Sequence, residues 1–220
     1  GQAISHDSGL SALKQLMLGD YRHGVARGSV SRVDYHARYL EFLRRNFSPE
    51  NLRGGQVALN GLNGTAATMA ELVATDFELP VTWFRKSPGP IPDQGADPVN
   101  PGLAKEMRGF MSGSNFSLGV AWDGDCDRCV CFDGSGELIP TYYLMGLLVD
   151  HFLTQKPGSA IVFDTKLCWN TLDMINRGGG KAVPAETGHA FMKQKMHEHG
   201  AVYGGELSSH HYFGDFYGCD

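Results

Sequence analysis

The chain has 220 residues, 42% hydrophobic and 20% charged, which suits one large or two small domains of ordinary α/β composition. Its net charge of −5 excludes a globally basic nucleic-acid surface, so an anionic substrate needs a local cluster of Lys, Arg and His. No apolar run reaches the roughly 18 to 20 residues of a membrane span, and Gly1-Gln-Ala-Ile-Ser-His-Asp7 does not read as a signal peptide, so the expected compartment is the cytoplasm.

Along the chain, Ser8 to Leu18 reads as a short amphipathic helix with Leu10, Leu13, Leu16 and Met17 on its apolar side. A Gly/Ser-containing connector, Gly24 to Ser31, leads to a stronger helix from Arg32 to about Phe47, with Val33, Tyr39, Leu40 and Leu43 facing inward. Gln56 to Asn60 reads as a strand, Gly61-Leu-Asn-Gly-Thr65 as a strand-to-helix turn, and the helix runs on to Thr75. That turn matches neither GxGxxG nor GxxxxGK[ST], so its expected role is structural. Val81 to Phe84 is the next strand, Ser87 to Gly102 a proline-rich loop, Leu103 to Ser112 a helix and Ser117 to Trp122 a strand.

Cys129 to Asp133 is a strand closed by the turn Asp133-Gly-Ser-Gly136. Beyond Pro140 the pattern restarts: helix Thr141 to Leu153, strand Ala160 to Phe163, helix Trp169 to Asn176, strand Lys181 to Pro184, helix Gly188 to His199, strand Ala201 to Tyr203. Strand and helix alternate in both segments, which favours parallel sheets with helical crossovers. The expected domain boundary lies near Glu137, and the second unit, ending at Asp220 without a closing helix, reads as incomplete.

Two places concentrate chemistry. The first is Val120 to Phe132, where an apolar run ends in Asp123, Asp125 and Asp127 at alternate positions, followed at once by Arg128. Three carboxylates this close repel one another unless a cation sits among them. Oxygen ligands without His or Cys in the spacing suit Mg²⁺ better than Zn²⁺. The arginine suggests a phosphate shared between metal and guanidinium. An EF-hand reading fails, because the sixth position is Arg128 where Gly is needed and the twelfth is Gly134 where Glu is needed. A plain Asp/Gly turn accounts for one or two of the aspartates but not for all three. The loop follows a strand, at the end where open α/β sheets hold ligands. Cys126-Asp-Arg-Cys129 has the CxxC form but lacks a second ligand pair, and an odd count of five cysteines, three of them crowded near one strand, reads as small packed residues in a reducing compartment.

The second place is Gly204 to Phe213, with Glu206, Ser208 and His210 at alternate positions. In an extended loop these face one way and suit vicinal sugar hydroxyls, which both donate and accept. A Ser/His/Glu triad is the weaker rival, since side chains so close in sequence seldom reach the geometry it needs. Lys166 and His189 each open an expected helix and are candidate phosphate contacts.

Asp123-Gly-Asp-Cys-Asp-Arg128 followed some 80 residues later by Gly205-Glu-Leu-Ser-Ser-His210 resembles the α-D-phosphohexomutase family, with its D-G-D-x-D-R metal loop and G-E-x-S-x-H sugar loop. Asp164-Thr-Lys166, Trp169-Asn-Thr171 and Thr187 to Phe191 add to the resemblance, and His210 to Phe213 with Asp215-Phe216 looks closest to the bacterial phosphomannomutase branch. The resemblance implies two consecutive three-layer α/β domains with mixed, mainly parallel sheets, residues 1–138 and 139–220. They would be the second and third of four domains, the third cut short.

It further implies Mg²⁺ on Asp123, Asp125 and Asp127, with a phosphoserine completing the site, and Arg128 against the transferring phosphoryl. Glu206 and Ser208 would hold sugar hydroxyls with help from His210; Lys166 and His189 would serve as phosphate or proton-transfer groups. The implied reaction interconverts mannose 6-phosphate and mannose 1-phosphate through a hexose 1,6-bisphosphate. No T-A-S-H-N-P-like serine loop occurs among the 220 residues, so the chain alone is not expected to turn over. Leu207 stands where phosphomannomutases usually have Met. Rival readings are a mutase of dual mannose and glucose specificity, a Mg²⁺-dependent phosphatase with an aspartate nucleophile, and a sugar- or metal-binding module without chemistry. The sequence does not read out the oligomeric state.

Overall fold

A computed structural model describes residues 4–19, 24, 28–48 and 54–220. The Gly24 to Ser31 connector lies partly outside them. A kinked turn, His6–Leu10, precedes α1 (Ser11–Leu18), and α2 spans His36–Asn46. A first sheet and its helices follow in the order β1 (Gln56–Asn60), α3 (Ala66–Asp76), β2 (Val81–Phe84), α4 (Pro101–Met111), β3 (Phe116–Trp122) and β4 (Cys129–Asp133). The second group is α5 (Thr141–Gln155), β5 (Ala160–Asp164), α6 (Cys168–Arg177), β6 (Lys181–Ala185), α7 (His189–His199), β7 (Tyr203–Gly205) and β8 (His211–Phe213).

The two sheets have the same plan. Their strand orders are β2-β1-β3-β4 and β6-β5-β7-β8, the first three strands of each being parallel and the last antiparallel. This is the mixed, mainly parallel α/β architecture that the motifs implied. β5 is the clearest case of a strand covered on both faces. Ile161 and Phe163 join Met145, Val149 and Leu153 of α5 in one core, while Ala160 and Val162 join Met192 and Met196 of α7 in the other. Met107 and Met111 of α4 close the first sheet over Ala58, Ala121 and Phe132. Pro184 sits in β6, an edge strand, where a missing N–H costs no ladder bond.

Four expectations need correction. The apolar side of α1 is not buried: Leu13 is 49% and Met17 76% exposed. α2 begins at His36 rather than Arg32; Asp34 accepts a bond from the His36 N–H, and Val33 stays in solvent. α4 begins at Pro101, inside the expected loop, since Asn100 accepts a bond from the Gly102 N–H and proline is well suited to the first helical position. Finally, β7 runs from Tyr203 to Gly205 rather than Ala201 to Tyr203, and His211–Phe213 is a strand where a loop was expected.

Candidate active site

Parallel strands send their following loops out at one edge of a sheet. The loops after β1 and β3 therefore emerge side by side, and so do those after β5, β6 and β7. In the first sheet the aspartate loop is built against the turn that follows β1. Asn60 caps that turn through the Leu62 N–H, and Thr65 donates its N–H to the Gly124 carbonyl at 3.1 Å. A Cβ on Gly64 would lie 2.3 Å from that carbonyl oxygen. The turn therefore supports the aspartate loop directly. Gly64→Ala is expected to push the loop out of place and weaken Mg²⁺ affinity ~10-fold or more, the size of effect seen when outer contacts of a metal site are lost. Calorimetric Mg²⁺ titration checks this, and an unchanged affinity would refute the buttress.

Asp123 is buried, and both its oxygens are engaged: Oδ1 accepts the Arg128 backbone N–H at 3.0 Å, and Oδ2 accepts Arg128 Nε–H at 2.6 Å. Burial pushes the Asp123 carboxyl up, but the two bonds and the charge of Arg128 outweigh it and hold the pKa below the usual carboxylate range. Arg128 also reaches Asp97 of the proline-rich loop at 3.2 Å, a partner that sequence reasoning missed. Its Nε and Nη1 are thus tied to the protein, which orients the guanidinium.

Asp127 behaves oppositely. Burial and the charges of Asp123, Asp125 and Asp220 raise its pKa, with His210 opposing them. Such repulsion marks a place that accepts a cation. One carboxylate oxygen from each of Asp123, Asp125 and Asp127 lies within 4.8 Å of the others. The donor set, all hard oxygen and open on the exposed side of Asp125, fits Mg²⁺. Cys126 does not compete, because burial and the neighbouring aspartates push its thiol up to about 11.

The second loop is a hairpin turn, not an extended segment. Glu206 donates its N–H to the His210 carbonyl, Ser209 donates to the Glu206 carbonyl, and Ser209 takes a φ of 72°. Glu206 and His210 therefore stand opposite one another across the turn, with Ser208 beyond them rather than in line along an extended segment. Ser208 is exposed at the tip. Glu206 is buried, its Oε1 accepting the Gly188 N–H at 2.5 Å and its Oε2 the Tyr212 hydroxyl at 2.6 Å. Tyr212 went unnoticed as a site residue because it reads as an ordinary strand aromatic. Tyr212→Phe leaves a buried carboxylate oxygen without its donor and is expected to cost about 1 to 3 kcal/mol. Urea unfolding of the two proteins checks it; a difference within error would count against the bond.

The two loops meet. Ser209 accepts the Cys129 N–H at 3.2 Å, His210 Nδ1 lies 3.1 Å from the Asp127 carbonyl, and Thr141 and Ser209 share a hydroxyl bond at 2.6 Å. His189 joins them: its Nε2 is 3.7 Å from Asp127 and 3.5 Å from His210 Nε2. Asp220, unmarked by any local sequence signal, lies 2.9 Å from His210 Nδ1. Burial lowers the His210 pKa, yet the Asp220 hydrogen bond with the Asp127, Asp220 and Glu206 charges outweighs it and raises the value. Lys166 is the exception among the sequence candidates. It follows β5 at the same sheet edge, its N–H bonded to Asp164, but its exposed ammonium makes no ion pair among the described residues.

The two groups of elements are matched separately in comparison with known proteins. Family models described as phosphoglucomutase/phosphomannomutase α/β/α domain II and α/β/α domain III match residues 37–136 and 140–220. The chain belongs to the phosphoglucomutase/phosphomannomutase family. A phosphomannomutase of Salmonella montevideo is 35% identical over 226 residues, which take in 99% of this chain and 50% of the relative. Proteins named phosphohexose mutases from Xanthomonas campestris pv. campestris include one 37% identical over 217 residues, covering 97% of this chain and 48% of the relative. A crystal structure of a phosphoglucomutase/phosphomannomutase family protein from Burkholderia thailandensis has a TM-score of 0.87 at 25% identity, covering 100% of this chain and 48% of that one. The chain spans about half the length of the curated family members it matches.

Proposed function

We propose that these residues supply the metal-binding and sugar-binding halves of a phosphomannomutase, which interconverts mannose 6-phosphate and mannose 1-phosphate through a phosphoserine enzyme and a hexose 1,6-bisphosphate. The observation that carries the reading is the junction itself: the D-G-D-x-D-R and G-E-x-S-x-H loops, 83 residues apart at Asp127 and His210, lie against one another. A division at residues 138/139 accords with Leu138 bridging to Phe132 and α5 opening the second group at Thr141. No helix among the described residues is long and apolar enough to cross a membrane, and we place the protein in the cytoplasm.

Asp123, Asp125 and Asp127 would hold Mg²⁺, which when bound offsets charge on a phosphoryl oxygen. The protein's own groups do the rest. Arg128, fixed by Asp123 and Asp97, presents its remaining N–H groups to phosphate. His189 and His210, with Nε2 atoms 3.5 Å apart, can hold a proton at the junction. Lys166 offers an unpaired ammonium at the same edge for the distal phosphate. Ser208 and Glu206 meet sugar hydroxyls, Glu206 by exchanging the Tyr212 hydroxyl for one from the ligand.

A mutase of dual specificity is favoured by the 37% identity to proteins named only as phosphohexose mutases. The aspartyl phosphatase reading loses ground at Asp123, whose carboxylate Arg128 holds in place, and a phosphoaspartyl adduct trapped at Asp123 or Asp125 would favour it. Titrating mannose 1-phosphate and glucose 1-phosphate into the chain with Mg²⁺ tests the proposal. Saturable, Mg²⁺-dependent binding that favours the mannose ester is expected. Equal affinities would support dual specificity, and no binding of either would overturn the reading. Mutase turnover by the 220-residue chain would overturn the assignment of the nucleophile to a loop absent from it.

A further inference from the structure

Asp127 takes part in two clusters. On one side it joins Asp123 and Asp125; on the other it meets His189 from the start of α7, His210 from the β7–β8 turn and Asp220 beyond β8. One ligand atom from each of this second four lies within 4.8 Å of the rest. The separations are 2.9 Å for His210 Nδ1 to Asp220 Oδ2, 3.4 Å for His189 Nε2 to Asp220 Oδ2, 3.7 Å for His189 Nε2 to Asp127 Oδ2 and 3.7 Å for His210 Nδ1 to Asp127 Oδ1. Four ligands arranged tetrahedrally at ~2.0 to 2.1 Å from a zinc ion stand about 3.3 Å apart. The quartet is already near that spacing.

We propose that Asp127, His189, His210 and Asp220 form a second divalent-metal site, selective for a transition ion of the zinc class and sharing Asp127 with the aspartate loop. Selectivity follows from the donors: two imidazoles and two carboxylates suit a borderline-soft ion, whereas the all-oxygen loop suits Mg²⁺. The ligands are held by their surroundings. His210 is fixed in the hairpin turn, and its ring meets that of His189 edge-on at 4.4 Å. Gly188, just before His189, is anchored by Glu206. Lys193 lies 3.9 Å from Asp220 Oδ1, which leaves Oδ2 to face the quartet. The site reaches solvent through His189, whose side chain is 40% exposed. On the functional reading above, an ion here draws Asp127 from the Mg²⁺ loop and both imidazoles from their roles at the junction, and so inhibits; the site itself does not depend on that reading.

Cobalt(II) added to the metal-free chain is the probe. The proposal expects the strong visible absorption of a four- or five-coordinate nitrogen/oxygen site, displaced by stoichiometric Zn²⁺ and by Mg²⁺ only at far higher concentration, since Mg²⁺ competes through the shared Asp127 alone. Asp220→Asn and His189→Gln, each verified as folded by circular dichroism, should each weaken Zn²⁺ binding by roughly 10-fold or more. Asp125→Asn should instead weaken Mg²⁺ and leave Zn²⁺ unchanged. A weak six-coordinate spectrum, a thiolate-to-cobalt band from cysteine ligation, or unaltered Zn²⁺ affinity in both variants would overturn the site. None of these readouts requires mutase activity, so failure of the functional reading would leave them intact.

Discussion

Asp123→Ala is expected to abolish Mg²⁺ binding and to lower the unfolding free energy by about 3 kcal/mol, the scale for breaking a buried ion pair from one side. Asp123 is 1% exposed and accepts from both the backbone and the side chain of Arg128. Removing it strands an N–H and a guanidinium in a partly buried place, with only Asp97 left as counter-charge. Asp125 is the control. It is exposed, so Asp125→Ala should lose Mg²⁺ affinity at little cost in stability. Calorimetric Mg²⁺ titration and urea unfolding of both variants separate the two effects. If Asp123→Ala still bound Mg²⁺ as the parent does, the metal assignment would fail. If it unfolded at the parent's midpoint, the Arg128 pair would be structurally idle.

The neighbouring histidines 210 and 211 are expected to titrate in opposite directions. His211 is buried against the Tyr203 hydroxyl, 2.7 Å from its Nδ1, and burial, with the His210 charge beside it, lowers its pKa to about 4. Its folded pKa is thus below the unfolded value near 6.5. The unfolded chain binds the extra proton first as the pH falls. The stability contributed by neutral His211 is therefore fully present above about pH 6.5, and about 3 kcal/mol of it is lost between there and about pH 4. His210 is raised instead, so its contribution is complete below the unfolded value and fades as pH climbs through the folded one. Imidazole resonances followed by NMR should place the two pKa values on either side of the ordinary one. Urea midpoints measured from about pH 7 to about pH 5 should fall less steeply for His211→Gln than for the parent. Parallel slopes would show that His211 carries no such linkage.

Much of the scaffold was legible from local pattern. β1, β2 and β4 have the bounds expected of them, and α5 and α7 lie within a few residues of theirs. The failures have separate causes. Pro101 reads as part of a proline-rich loop until Asn100 is seen capping the helix. β8 was missed because its turn has no Asn-Gly or Gly-Gly signal and uses Ser209 at positive φ, held by Thr141 and Cys129 from far away. The apolar stripe of α1 has the right period, but period alone does not supply something to pack against.

What the sequence by itself determined is the chemistry of two short segments, because ligand type and local spacing are written in consecutive residues: three carboxylates with an arginine, and Glu, Ser and His after two glycines. That was enough for the family and for a Mg²⁺ expectation. Only the tertiary structure decided which groups are free to act. Arg128 is spent partly on Asp123 and Asp97, Glu206 is held by Tyr212 and Gly188, and Asp127 faces His189, His210 and Asp220. These pairings join residues brought together by parallel strands whose loops open at a common edge, and no local signal in a one-dimensional string marks which distant partners will meet there.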